Sequence, residues 1–284
     1  MYQLLKICAG LLDRLSPGSV GALARGLTLL GFRVLGLRRR VVDENISRAF
    51  PDMGAGERAR LARDSVYHIC LTVLEFISPR HSGVDRCVFR DRHFLDEALA
   101  GGQGAYILCC HMGNWETMAA AVNQRICPTR VVVKDVGGPA TDRFVREKRA
   151  RIGMQAIDRK GGRLEALRQI KKSLGSGQLV GFVLDQSRPG EPRLPFFNAP
   201  AKTNTSLATI RLRYKAPVIP AWCRRTGVGR HEVTFMPPVN LEEAEEGGDR
   251  EDLVIRHTLR FNRVLEDMIR LNPRQYFWLH RRWK

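Results

Sequence analysis

Between residues 104 and 236 the chain repeatedly exchanges a short, mostly apolar run for a stretch of helical periodicity, and this alternation restricts the fold more than any other feature. The runs are 104–110 (GAYILCC), 129–134 (TRVVVK), 178–184 (QLVGFVL) and 217–223 (PVIPAWC), with a further strand expected at 232–236. Their lengths suit buried strands. Helical patterns fall between them at about 115–125, 139–152, 161–174 and 204–214. Strands and helices in alternation give an α/β fold, with a central mostly parallel or mixed sheet and helices on both faces.

Helices flank this region. Residues 41–50 and 56–77 read as two, the second running through Leu61, Val66, Ile69 and Val73 until Pro79 stops it. A short helix over 91–99 ends in Gly101-Gly102, and a last one passes through Val254, Phe261, Leu265 and Met268 to Asn272-Pro273. The acidic stretch 242–252 reads as a loop and then the first turn of that helix, where carboxylates meet the positive end of the dipole.

The N-terminus carries two apolar stripes at helical spacing. One is Leu4, Cys8, Leu11 and Leu15; the other is Val20, Leu23, Leu27, Leu30, Val34 and Leu37. Asp13, Arg14, Arg25 and Arg33 break any apolar run well short of the ~18 residues that span a bilayer. No signal-peptide cleavage pattern follows an apolar core. The reading is an extension of basic amphipathic helices ending in Arg38-Arg39-Arg40, lying in a membrane interface or packed on the domain, two placements that are compatible. The expected division is 1–40 as membrane-associating amphipathic helices and 41–284 as a single α/β domain.

Charge narrows the partners. Lys and Arg number 47 against 29 Asp and Glu, a net charge of +18, so the surface calls for anions: nucleic acid, anionic lipid, phosphorylated substrates or an acidic carrier protein. The seven cysteines include no CxxC pair, which suits a reducing compartment rather than a disulfide framework.

The sharpest chemical feature is the segment Cys110-His111-Met112-Gly113-Asn114-Trp115-Glu116. A buried strand ends there, and ligands of open α/β sheets bind at the carboxyl ends of the strands. Gly113 permits a tight turn and Asn114 suits the N-cap of the next helix. With His111 on the turn and Glu116 in the first helical turn, the carboxylate can fix the imidazole tautomer and raise its basicity. The alternative is a histidine that merely caps the turn. A zinc site is disfavoured, because the spacing is not that of a helical His pair and no third ligand lies nearby. Cys110 as nucleophile is disfavoured too, since it points to the opposite face from His111, and no GxSxG elbow occurs. Asp185-Gln186 closes another strand and could reach the same cleft. A basic helix holds Arg143, Arg146, Lys148, Arg149 and Arg151, of which one guanidinium could grip a phosphate or an oxyanion. Arg224-Arg225 and Arg281-Arg282, with Trp222, Trp278 and Trp283 nearby, suit a lipid headgroup layer or a nucleic acid, although no helix-turn-helix, RNP motif or zinc finger is present. Phe196 and Phe197 read as core more readily than as an acyl tunnel.

His111-x-x-x-x-Glu116 after a buried strand resembles the glycerolipid acyltransferase superfamily. A finer resemblance, to the lipid A biosynthesis acyltransferases (lauroyl and myristoyl transferases), rests on further stretches. They are 149–153 (RARIG), Leu184-Asp185-Gln186, Pro195-Phe196-Phe197 followed by 203–208, and the C-terminal 275–284 (QYFWLHRRWK). It covers about residues 15–284. It implies O-acyl transfer from acyl-acyl carrier protein or acyl-CoA to a hydroxyl of a phosphorylated glycolipid, with His111 and Glu116 catalytic and no metal or cofactor. It also implies Asn114, Arg149, Asp185 and Gln186 in substrate binding, with Arg146 and Arg151 as alternatives to Arg149. The place of work would be the cytoplasmic face of a bacterial inner membrane, against its anionic surface, without nucleic acid. The N-terminal segment departs from many members in being short and charge-broken. The competing readings are another glycolipid acceptor, or a non-enzymatic basic nucleic-acid or membrane-binding protein.

Overall fold

A computed structural model describes residues 1–132, 138–157, 162–186, 190–241 and 249–283. The end of the 129–134 run, the first residue of the 161–174 helix and most of the acidic 242–252 stretch lie outside the described residues. The helices are α1 (Tyr2–Leu12), α2 (Pro17–Thr28), α3 (Arg39–Ala49), α4 (Ala55–Ile77), α5 (His93–Leu99), α6 (Trp115–Arg125), α7 (Pro139–Arg151), α8 (Gly162–Gly175), α9 (Ser206–Arg213) and α10 (Arg250–Leu271). The strands are β1 (Cys87–Arg90), β2 (Tyr106–Cys109), β3 (Thr129–Val132), β4 (Gln155–Ile157), β5 (Leu179–Val183), β6 (Arg193–Phe196), β7 (Ala199–Lys202), β8 (Val218–Gly227) and β9 (Arg230–Phe235).

Seven strands form one sheet in the order β1-β9-β8-β2-β5-β3-β4. All neighbours run parallel except β8 and β9, which form an antiparallel hairpin. The expected mostly parallel α/β sheet is therefore present. β2 lies at its centre and is buried along its whole length, as a strand covered on both faces must be. Its side chains alternate. Tyr106 and Leu108 join a core with Val180, Phe182, Phe261 and Leu265, whereas Ile107 and Cys109 join another with Met118, Ala121 and Ile219. Each large apolar side chain so buried contributes roughly 1.5–3 kcal/mol. β1 has no counterpart in the sequence reading, because an edge strand needs no continuous apolar run and only Cys87 of its four residues is buried.

The β6–β7 hairpin turns on Phe197 and Asn198, with φ of 48° and 59°. That left-handed backbone suits Asn and strains Phe. Tertiary contacts hold it: the Phe197 N–H donates to Glu266 Oε1 at 2.9 Å, and its ring packs on Phe50 and Phe196. Phe196 and Phe197 are core, as the plainer reading had it.

The N-terminal helices pack on α4 through a face that only partly coincides with the predicted stripes. Leu12, Val20 and Ala24 meet Leu71 and Leu74 in a separate small core, and Leu15 packs against it. Of the predicted stripes only Leu15 and Val20 take part; Leu4, Leu11, Leu23, Leu27, Leu30, Val34 and Leu37 are all exposed. α2 continues into a π-helical turn, Leu29–Val34, in which the Leu35 N–H reaches the Leu30 carbonyl at 2.9 Å. Gly36 and Arg38, with φ of 65° and 60°, then reverse the chain so that α3 leaves at 91°. Among the described residues no single helix is long and apolar enough to cross a membrane.

Candidate active site

The parallel register of β2 and β5 sets Cys109 opposite Val183. Two residues further on, past the carboxyl edge of both strands, the same offset brings His111 beside Asp185. The His111 Nδ1 lies 2.7 Å from Asp185 Oδ1, and the His111 backbone N–H donates to Oδ2 at 3.1 Å. Asp185 is 1% exposed. Burial by itself would raise this carboxyl, but the adjoining His111 ring and N–H, helped by the Arg282 charge, hold it below the ordinary carboxylate range. The ring is steadied by Trp115 and Phe277, with centroids 4.8 and 5.9 Å away. With Nδ1–H given to Asp185, Nε2 carries the lone pair, and it has no hydrogen-bond partner among the described residues.

The carboxylate expected on His111 was Glu116, and here the structure corrects the sequence reading. Glu116 accepts from Arg149 Nε at 3.1 Å and from Nη2 at 2.6 Å. A guanidinium edge offers a carboxylate two charge-assisted bonds, which an imidazole cannot match. Arg149 is thereby singled out in its helix. Arg146 pairs with Asp142, Arg143 with Glu147, and Lys148 is buried with its ammonium on the Ile77 carbonyl. Arg151 is exposed.

Asn114 caps α6 as expected, its Oδ1 accepting from the Thr117 N–H at 3.0 Å. It is fully buried and its Nδ2 donates to Glu75 at 2.8 Å, so what the structure shows of it is a role inside the turn rather than the expected substrate contact. Gln186 is half-buried beside Asp185, with no side-chain hydrogen bond among the described residues. Cys110 is buried and its thiol is pushed well above the ordinary range by desolvation, the opposite of an activated nucleophile. Among the described residues no three His, Cys, Asp or Glu side chains converge as a metal site requires.

Behind the His111 turn lies a buried polar network that sequence reasoning missed. Glu75 of α4 binds Arg225 of β8 through Nη2 at 2.7 Å and Nε at 3.0 Å, and also takes the Asn114 amide and the Gly229 N–H. The Glu75 carboxyl, which burial would raise, is held below its usual range chiefly by Arg225. Thr72 links the network to the turn by donating to the Gly113 carbonyl at 2.7 Å. The signal was present: Glu75 is a lone carboxylate in the apolar run LTVLEFI. Gly113 has φ of 62°, and a Cβ there would stand 2.0 Å from the Cys223 carbonyl oxygen. The C-terminal tail straps the turn from outside. The Phe277 N–H donates to the His111 carbonyl, the Gly113 N–H donates to the Gln275 carbonyl, and the Gln275 side chain clasps the Arg225 backbone. Trp278, Trp283, Arg225 and Arg282 are buried, which corrects the expectation that these tail and strand residues meet headgroups or nucleic acid.

Residues 12–284 match the bacterial lipid A biosynthesis acyltransferase family. The chain belongs to that family. It is therefore an O-acyltransferase of the lipid A biosynthesis type, and the non-enzymatic reading falls. Among its relatives is the lipid A biosynthesis lauroyltransferase of Escherichia coli (strain K12), 25% identical over 273 residues that cover 91% of this chain and 83% of that protein. Of solved structures, the 1-acyl-sn-glycerophosphate acyltransferase of Thermotoga maritima aligns over 96% of this chain and 99% of its own, at 12% identity and a TM-score of 0.40.

Proposed function

We propose that the enzyme moves a fatty acyl chain from acyl-acyl carrier protein, or acyl-CoA, to a hydroxyl of a phosphorylated lipid A precursor. The observation that carries the mechanism is the 2.7 Å contact of His111 Nδ1 with the buried Asp185, which leaves Nε2 as the proton acceptor at the sheet's carboxyl edge. In this reading Nε2 takes the acceptor's hydroxyl proton as the oxygen attacks the thioester carbonyl. Asp185 stabilises the imidazolium. The tetrahedral intermediate then expels the thiolate, breaking the C–S bond, and the thiol leaves with the proton that His111 held. Glu116 serves the site through Arg149, whose guanidinium it orients toward an acceptor phosphate or the developing oxyanion.

The membrane part of the proposal places residues 1–40 against the cytoplasmic face of a bacterial inner membrane, peripherally. The exposed leucine stripes and adjacent arginines support it.

The test pairs acyl-carrier thioester with a phosphorylated lipid A precursor and follows product by mass spectrometry. His111→Ala is expected to lose at least about a hundredfold in rate with the fold retained; full activity in that variant overturns the mechanism. Alkaline carbonate is expected to strip the full-length protein from membranes, and complete resistance overturns the peripheral reading.

A further inference from the structure

The π-helical turn gives the N-terminal helices a second consequence. α2 and this turn, together with α3 and α4, line an open groove of about 1180 Å³. Arg25, Arg33, Arg39 and Arg63 line it, and among the described residues none of the four has an acidic partner. The two acids in its wall are already engaged from outside the groove, Asp43 by Arg58 at 3.3 Å and Asp64 by Arg274 at 3.8 Å. Leu29, half exposed, and the buried Phe32 give the same walls an apolar side. Leu30, Val34, Leu35 and Leu37 stand exposed just beyond it on the same segment.

Unpaired guanidinium groups favour a phosphate, which takes their paired N–H donors directly. Apolar surface beside them favours an anion that carries chains. We infer that the groove is a binding site for the phosphorylated headgroup of an anionic membrane lipid, with the lipid's chains lying along the exposed leucines. This rests on the peripheral membrane reading above and adds a stoichiometric headgroup site to it, lined by no residue of the His111 turn.

The test titrates full-length protein calorimetrically with monomeric dihexanoyl phosphatidylglycerol. Arg33→Gln/Arg63→Gln is the groove variant, and Lys171→Gln/Lys172→Gln on α8 removes equal charge elsewhere. Among the described residues neither Arg33 nor Arg63 is ion-paired, so thermal unfolding is expected to match wild type in both variants. Wild type is expected to bind about one lipid per chain, the groove variant at least about tenfold more weakly, and the lysine variant within about twofold of wild type. Unchanged binding by the groove variant, equal loss in the lysine variant, or no binding by wild type overturns the site. Inorganic phosphate binding as tightly as the lipid overturns its assignment to a lipid. Vesicle flotation separates the two readings: wild type that binds the short-chain lipid yet fails to float with phosphatidylglycerol vesicles keeps the groove and loses the peripheral membrane assignment.

Discussion

Asp185→Asn is the substitution that most directly tests which carboxylate serves His111. The shape is retained, but the hydrogen-bond pattern is not. Asp185 accepts twice, from the His111 backbone N–H at 3.1 Å and from Nδ1 at 2.7 Å. An asparagine has one acceptor and one donor. If its oxygen keeps the backbone N–H, its amide N–H faces Nδ1 and forces the proton onto Nε2, which can then no longer act as base. If the amide flips, two donors oppose each other in a pocket where residue 185 is 1% exposed. The lost attraction between imidazolium and carboxylate at about 3 Å is at most about 5.5 kcal/mol at an effective dielectric of about 20. With relaxation, kcat is expected to fall about 10³–10⁴-fold and KM to change little. Adding His111→Ala should cost little more, because the two side chains act as a unit. Glu116→Gln keeps one bond to Arg149 and is expected to cost only about 10–100-fold. The assay is initial-rate acyl transfer with each substrate varied. Asp185→Asn within tenfold of wild type, with Glu116→Gln at background, would refute the pairing and return Glu116 to His111.

Gly113→Ala puts a methyl 2.0 Å from the Cys223 carbonyl oxygen at a φ of 62°, so about 3 kcal/mol or more of stability should go, along with activity, as read by thermal unfolding and initial rates. Glu75→Ala leaves Arg225 buried without its carboxylate and should cost about 3–5 kcal/mol; a change under 1 kcal/mol in urea unfolding would mean the network does not support the turn. His231, lowered by burial to about 4, gives a pH signature. Unfolded chain binds its proton near the ordinary value of 6.5 while the folded protein waits until about 4, so stability should fall as pH drops through that window, by at most about 3.5 kcal/mol from this residue. Urea midpoints between pH 7 and 4 should show the fall, and His231→Gln should make it shallower without abolishing it, because burial lowers His68 as well, to about 3.

The sequence alone was enough for the α/β class, because a strand buried on both faces must be apolar throughout and a helix must show its period; the runs at 104–110 and 178–184 became β2 and β5 within a residue or two. It was enough for the His111 turn as well, since Gly113 and the Asn114 cap are local chemistry. Which carboxylate meets His111 was not legible. Asp185 arrives through the register of two strands far apart in the chain, and Glu116 is drawn off by a helix 33 residues on. The same limit applies to Arg225, which looks like a surface residue in Arg224-Arg225 until Glu75 and the tail bury it. It applies again at the N-terminus, where periodicity marked two apolar stripes but could not show that only Leu15 and Val20 of them, joined by Leu12 and Ala24, pack on α4 while most of the leucines stay exposed. Spacing along a chain fixes which side chains share a face of one element; which element that face meets depends on strand order, helix crossing and the balance of burial over the whole molecule, and only the tertiary structure decides it.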